Sequence, residues 1–189
     1  FYSADRVVTI SIKERNFAPE RVNLQSVNLN EEALDSLPAL GTWKQAGDTY
    51  TTSIVLRNDG TYNFTLDVTD KAGNKAIQYQ SDRFIIDKTF PEISISNVED
   101  KSANNGEVAP IIQLSDINLD SRTMVISLVG VNSGMVNLEG WYSISTDKRT
   151  ITFQDFPYEK TVDDLYEMNV SVTDMAGNTT TERITFSVN

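Results

Sequence analysis

Asp116, Asn118 and Asp120 stand at alternate positions of the run DINLD. Oxygen donors in that spacing open a calcium loop, where hard ligands at the first, third and fifth positions gather round the ion. Such a loop also needs glycine at position six and a bidentate glutamate at position twelve. Here those positions hold Ser121 and Ser127, and the matching earlier residues are Glu14, Asn16 and Ala18. The run therefore reads as a polar strand corner. Asp70 with Asn74, and Asp174 with Asn178, are further pairs of oxygen donors. Turn chemistry accounts for both. Asp bonds its own backbone two residues on, and Gly73–Asn74 and Gly177–Asn178 tolerate positive φ.

Other chemistry finds less to work with. The chain has no cysteine and no histidine, so thiolate chemistry, a disulfide framework and the commonest general base are all excluded. Retaining glycoside hydrolysis needs two carboxylates about 5 Å apart in a cleft. Among 27 acidic residues no spacing singles out a pair. No phosphate loop or nucleophile elbow is present. No enzyme activity, cofactor or metal is expected. The net charge of −11 repels phosphate, which argues against nucleic acid and fits solubility. No apolar run is long enough to span a membrane. The first residue is Phe and no signal-peptide pattern precedes it, so the sequence reads as a fragment of a longer protein.

The elements that position these residues are repeated. YNFTLDVTDKAGN (62–74) returns as YEMNVSVTDMAGN (166–178), with seven of thirteen positions identical at an offset of 104. Tyr62, Phe64, Leu66 and Val68 alternate with polar residues, as do Tyr166, Met168, Val170 and Val172. Period two over eight residues is a half-buried strand. Asp-x-Ala-Gly-Asn turns the chain, and an apolar strand follows, so each copy centres on a hairpin. The repeat predicts two domains, 1–89 and 90–189. The joint is Asp87–Pro91, where Pro91 stiffens a short linker. Asp87 and Asp100 flank it and are the candidate oxygen ligands there.

Taken in order, strands are expected at Val8–Ile12, Val22–Leu29 and Tyr50–Leu56, with Trp43 between the last two. Asn30–Leu34 reads as one capped helical turn closed by Pro38. In the second copy Ile112 and Leu114 match Ile10 and Ile12, and Trp141 stands in for Trp43. The loops Asn30–Thr42 and Gln154–Leu165 are where the copies differ. Short strands at this spacing, with almost no helix, form a β-sandwich. The second copy has a strand, EISISNV (92–98), for which the first copy has no counterpart. The first domain is thus expected to lack its opening strand. Its sheet edge is then exposed, or another segment fills the place.

DGTYNF (59–64) resembles the tyrosine corner of immunoglobulin-like domains, with Phe64 and Met168 where the second cysteine would stand. More closely, YSADRVVTISIKERNF, then Trp43, then DGTYNFTLDVTDKAGN, then FIIDKTFPEISI resembles tandem immunoglobulin-like repeats of Gram-positive surface proteins. The resemblance implies an all-β protein of two such sandwiches. It implies an exported, surface-bound or secreted chain with neighbouring modules of the same kind as partners. The role it implies is a spacer that extends or presents other domains. An adhesin for a host glycoprotein or immunoglobulin, and an accessory domain of a secreted carbohydrate-active enzyme, are the alternatives.

Overall fold

The computed structural model describes residues 1–105, 108, 110–138, 142–146, 150–153 and 163–189 of the 189-residue chain. Its strands fall into two compact units, Phe1–Lys88 and Thr89–Asn189. Thr89 therefore groups with the second unit rather than the first. The Thr89 carbonyl accepts a bond from Asn178 Nδ2 at 3.1 Å, which ties it there.

Unit 1 holds β1 (Arg6–Lys13), β2 (Val22–Leu29), β3 (Glu32–Ala33), β4 (Lys44–Ala46), β5 (Thr49–Leu56), β6 (Gly60–Val68), β7 (Tyr79–Gln80) and β8 (Phe84–Ile86). One sheet runs β1–β5–β4. The other runs β3–β2–β6–β7, with β8 also on β6. Alternation sets which residues face in. Ile10, Ile54 and Leu56 from the first sheet meet Val22, Val27, Tyr62, Phe64 and Leu66 from the second in one core. Each such buried side chain contributes about 1.5–3 kcal/mol. In β2 the inward set switches parity, from Val22 and Leu24 to Val27. The register shift between Leu24 and Ser26 explains it: one extra residue is absorbed as a bulge.

Two expectations for this unit need correction. Asn30–Leu34 is a hairpin, not a helical turn. Asn30 and Glu31 have φ of 53° and 72°, the paired positive values of a two-residue hairpin turn. Leu29 then sits opposite Glu32, and Asn30 Oδ1 accepts from Thr61 N at 2.9 Å instead of capping a helix. A single helical turn is a costly nucleus, and the sheet offers the same backbone a ladder. The return half of the repeated hairpin is also broken, into β7 and β8. The Ser81 hydroxyl takes the Phe64 amide at 2.9 Å, so a side chain occupies a place in the ladder that backbone would otherwise fill.

Unit 2 holds β9 (Glu92–Ser96), β10 (Ser102–Asn104), β11 (Ile111–Ser115), β12 (Val125–Gly130), β13 (Gly134–Met135), β14 (Tyr142–Ile144), β15 (Thr150–Phe153), β16 (Asp164–Thr173) and β17 (Thr179–Val188). Its sheets run β14–β15–β11–β9 and β10–β17–β16–β12–β13. Here the repeated hairpin is unbroken, from Asp164 opposite Val188 to Thr173 opposite Thr179. Ile112 and Leu114 pack against Leu128, Met168, Val170, Val172 and Phe186. Short 3-10 turns at Pro19–Arg21 and Ser121–Thr123 make matching corners. Among the described residues no helix is long and apolar enough to cross a membrane.

Candidate functional site

The two Asp-x-Ala-Gly-Asn turns close on themselves in the same way. Asp70 accepts from Asn74 N at 2.7 Å and from Asn74 Nδ2 at 2.8 Å. Asp174 accepts from Asn178 N at 2.9 Å and Asn178 Nδ2 at 2.7 Å, and also from Ala176 N at 2.8 Å. Gly73 and Gly177, with φ of 92° and 94°, supply the left-handed step that lets the chain reverse. Each turn docks on the corner before its 3-10 turn, Lys71 N donating to Asn16 O and Met175 N to Asn118 O, both at 2.9 Å. The environments differ. Asp174 and Asn178 are buried, at 4% and 5% exposure, whereas Asn74 lies open and Asp70 is half-buried. The Asn74 amide is the main cause that holds the Asp70 carboxyl below its ordinary value.

The calcium-like run is taken up by local bonds. Asp116 Oδ1 accepts from Asn118 N at 2.6 Å. Asp120 caps the 3-10 turn, taking Arg122 N at 3.1 Å, and also pairs with the Arg122 guanidinium at 2.8 Å. That guanidinium holds the Asp120 carboxyl below its usual range. Asp120 thus serves as a cap. Of the run's two carboxylates, Asp116 is the one that comes near the acid of the neighbouring turn: one of its oxygens lies within 4.8 Å of an Asp174 oxygen. Asp100 is used elsewhere, accepting from Thr185 N at 2.9 Å with Lys101 3.5 Å away. Asp87 is buried at the end of unit 1, its amide donating to Tyr2 O at 2.9 Å.

The aromatic anchors can be placed as well. The Tyr62 hydroxyl donates to Asn58 O at 3.0 Å, four residues upstream, which is the geometry of a tyrosine corner. Burial pushes that phenol up from its ordinary value. Tyr166 is equally buried and stacks on Phe186 at 5.6 Å. Trp43 meets Phe17 edge-on at 4.8 Å, and Phe17 stacks on Tyr50 at 4.1 Å. Trp141, and the part of the second insertion loop from 154 to 162, lie outside the described residues.

A sequence model of the bacterial Ig-like domain (group 3) matches residues 45–189. This chain belongs to the bacterial Ig-like domain family. None of the curated proteins matches it. Solved structures similar to it include a two-domain titin fragment with 12% identity and a TM-score of 0.43, over all of this chain and 92% of that one. A titin I-band fragment has 9% identity and a TM-score of 0.44, over 98% of this chain and 60% of that one. Dimeric latent PorU from Porphyromonas gingivalis has 15% identity and a TM-score of 0.41, over all of this chain but 20% of that one. The fold class is all-β, of the immunoglobulin-like kind.

In this Ig-like chain the sequence reading missed one buried acid, Asp164, 4% exposed. It accepts from Asn132 N at 2.9 Å, from Ser133 N at 2.8 Å and Ser133 Oγ at 2.6 Å, and from Leu165 N at 2.8 Å. Burial pushes its carboxyl up, but the Ser133 hydroxyl and the three amides outweigh it and hold the group down to about 2. A side chain at Gly130 would run into Ser133 Oγ and Asp164 Oδ2, so the glycine keeps this nest open. The signal was present: an acid at the start of the hairpin strand, where the first copy has Gly60. Four donors on one carboxylate make it a structural staple. The carboxylates of Asp70, Asp100, Asp116, Asp120, Asp164 and Asp174 are matched to backbone amides and side-chain donors, an arrangement suited to holding turns.

Proposed function

We propose that this chain is an exported structural module that extends or presents other domains of a bacterial cell-surface protein, in the setting the Gram-positive resemblance implies. Its partners in this reading are neighbouring modules of the same polypeptide. The observation that carries it is how the chain enters the second sandwich. Thr89 O is held by Asn178 Nδ2, and Pro91 O accepts from Thr180 Oγ1 at 2.6 Å. Pro91 itself is buried. The entering segment is thereby clamped to the hairpin that anchors the unit's core, which suits a module that transmits position along an array. A net charge of −11 keeps such an array solvated.

The test is binding of the chain, single and multimerised, to host immunoglobulins, mucins and matrix proteins. A spacer gives no saturable binding even with avidity of about 10²–10⁴. It also tolerates exchange of loop Asn30–Thr42 with no loss of the parent protein's activity. Saturable binding that survives physiological salt and disappears on loop exchange would replace the spacer reading with an adhesin.

A further inference from the structure

The joint is held at its two ends by different kinds of bond. On the unit 2 side the grip is neutral. Asn178 Nδ2 reaches Thr89 O and Thr180 Oγ1 reaches Pro91 O, and Asn178 is buried. On the unit 1 side the grip is ionic and falls on Lys88. Its amide donates to Asp59 Oδ2 at 2.9 Å. Its ammonium donates to Asp5 Oδ1 at 3.1 Å and to Arg57 O at 2.5 Å, and stands 3.7 Å from Asp59 Oδ1.

Three segments of unit 1 therefore meet at one residue. Asp5 precedes β1, and Lys88 follows β8. Arg57 and Asp59 belong to the turn between β5 and β6, whose Asn58 carbonyl holds the Tyr62 hydroxyl. Asp59 grips Lys88 twice, through its main chain and through its side chain. Loss of the ion pair thus loosens a backbone bond made to the same carboxylate. The neighbouring fixings are main-chain bonds alone, Tyr2 N to Ile85 O and Asp87 N to Tyr2 O, both at 2.9 Å. The bond to Asp5 is the main cause that holds the Lys88 ammonium above its ordinary pKa.

Exposure decides how such a grip behaves. The side chains of Lys88, Asp5 and Asp59 are 37%, 45% and 37% exposed. Ion pairs this open to water are weak and are screened by salt, because charges act over about 10 Å at 0.1 M but only about 3 Å at 1 M. Arg57, 3.6 Å from Asp5, is a second cation ready to take that acid when Lys88 leaves. Neutral bonds from a buried side-chain amide have no such dependence.

We propose that Lys88 is an ionic latch: closed at low ionic strength, it fastens the chain leaving unit 1 to the turn at Asp59, and salt opens it while the grip of Asn178 and Thr180 stays shut. Ionic strength, and not Pro91 alone, then sets the stiffness of the joint. The use of the latch in an array rests on the structural-module reading. The latch itself does not, and it is read in this chain alone.

The test follows amide exchange and ¹⁵N relaxation by NMR in the full chain, between about 0.05 M and about 1 M sodium chloride. The Lys88 amide is expected to lose protection about threefold or more in high salt, with a matching rise in its fast motion. The Asp87 amide, β8 and the Asn178 side-chain amide stay unchanged. Lys88→Met keeps the aliphatic stem and removes the charge, so the amide of residue 88 exchanges at the high-salt rate in either buffer. A Lys88 amide indifferent to salt overturns the proposal, as does a Lys88→Met chain that matches the native one in low salt. Equal losses at Lys88 and Asp87 overturn it too, because the end of unit 1 is then fraying as a whole. So does equal loosening of Asn178, which would make the two grips alike.

Discussion

The two sandwiches share a hairpin motif and differ in how far it is closed. In unit 2, β16 and β17 pair over ten residues, and the Asp174–Asn178 turn is buried. In unit 1 the return strand breaks at Ser81, and the Asp70–Asn74 turn lies more open. The turns themselves have nearly the same bonds and the same left-handed glycine. The comparison teaches that turn conformation is local, whereas what the turn is worth depends on whether water can replace its bonds. An acceptor removed from an open turn is replaced by solvent. One removed from a buried turn leaves donors unsatisfied, at about 1–3 kcal/mol each.

The largest break in this symmetry is expected from Asp174→Ala. It strips the buried Asn178 side chain and two amides of their acceptor and destabilises unit 2 by about 3 kcal/mol. Asp70→Ala, the same change in unit 1, costs about 1 kcal/mol. Amide exchange read separately over each unit in denaturant distinguishes them; equal losses would refute the burial argument.

Next comes acid. The folded carboxyl of Asp164 sits at about 2, below its ordinary 3.8. The unfolded chain takes up the proton first as pH falls. The stabilisation is therefore complete above about pH 4 and is lost on the way down to about pH 2, amounting to roughly 2 kcal/mol. Unit 2 of the native chain should lose that much more than Asp164→Asn between pH 5 and pH 2. Unit 1, with Gly60 in the matching place, has no such staple. Parallel pH profiles for native and variant chains would remove Asp164 from this role.

A smaller effect tests the corner. Tyr62→Phe removes one hydrogen bond to Asn58 O and should cost unit 1 about 1 kcal/mol, read as a shift in its unfolding midpoint with an unchanged slope. The smallest concerns the open edge beside Ile77, where β1 pairs with β5 alone among the described residues. Ile77→Ser should leave unit 1 within about 0.5 kcal/mol of native, because the side chain is 97% exposed. A larger loss would mean that the edge is covered within the chain itself.

Much of this was legible in the residues. Alternation in 62–68 and 166–172 gives the inward faces, because a strand's side chains alternate whatever they pack on. Asp, Gly and Asn at fixed spacing give the turns, because their preferences are short-range. The 104-residue repeat gives two sandwiches and points to a strand without a counterpart. Asn30–Leu34 was misread because local capping signals suit a helical turn equally well. Only the pairing of Leu29 with Glu32 favours the hairpin. The parity switch in β2 likewise needed its partner strand to show the bulge.

By itself, then, the sequence determined the inward faces of the strands at 62–68 and 166–172 and the two Asp-x-Ala-Gly-Asn turns, consequences of interactions within a few residues, together with the repeat that relates them. Tertiary structure alone decided which carboxylates are buried, that Asp164 gathers amides from a loop 31 and 32 residues away, and that β9 covers one sheet edge while its counterpart stays open. The reason is physical. Burial and pairing are properties of surfaces that meet only after folding, and no local pattern records which surface will be there.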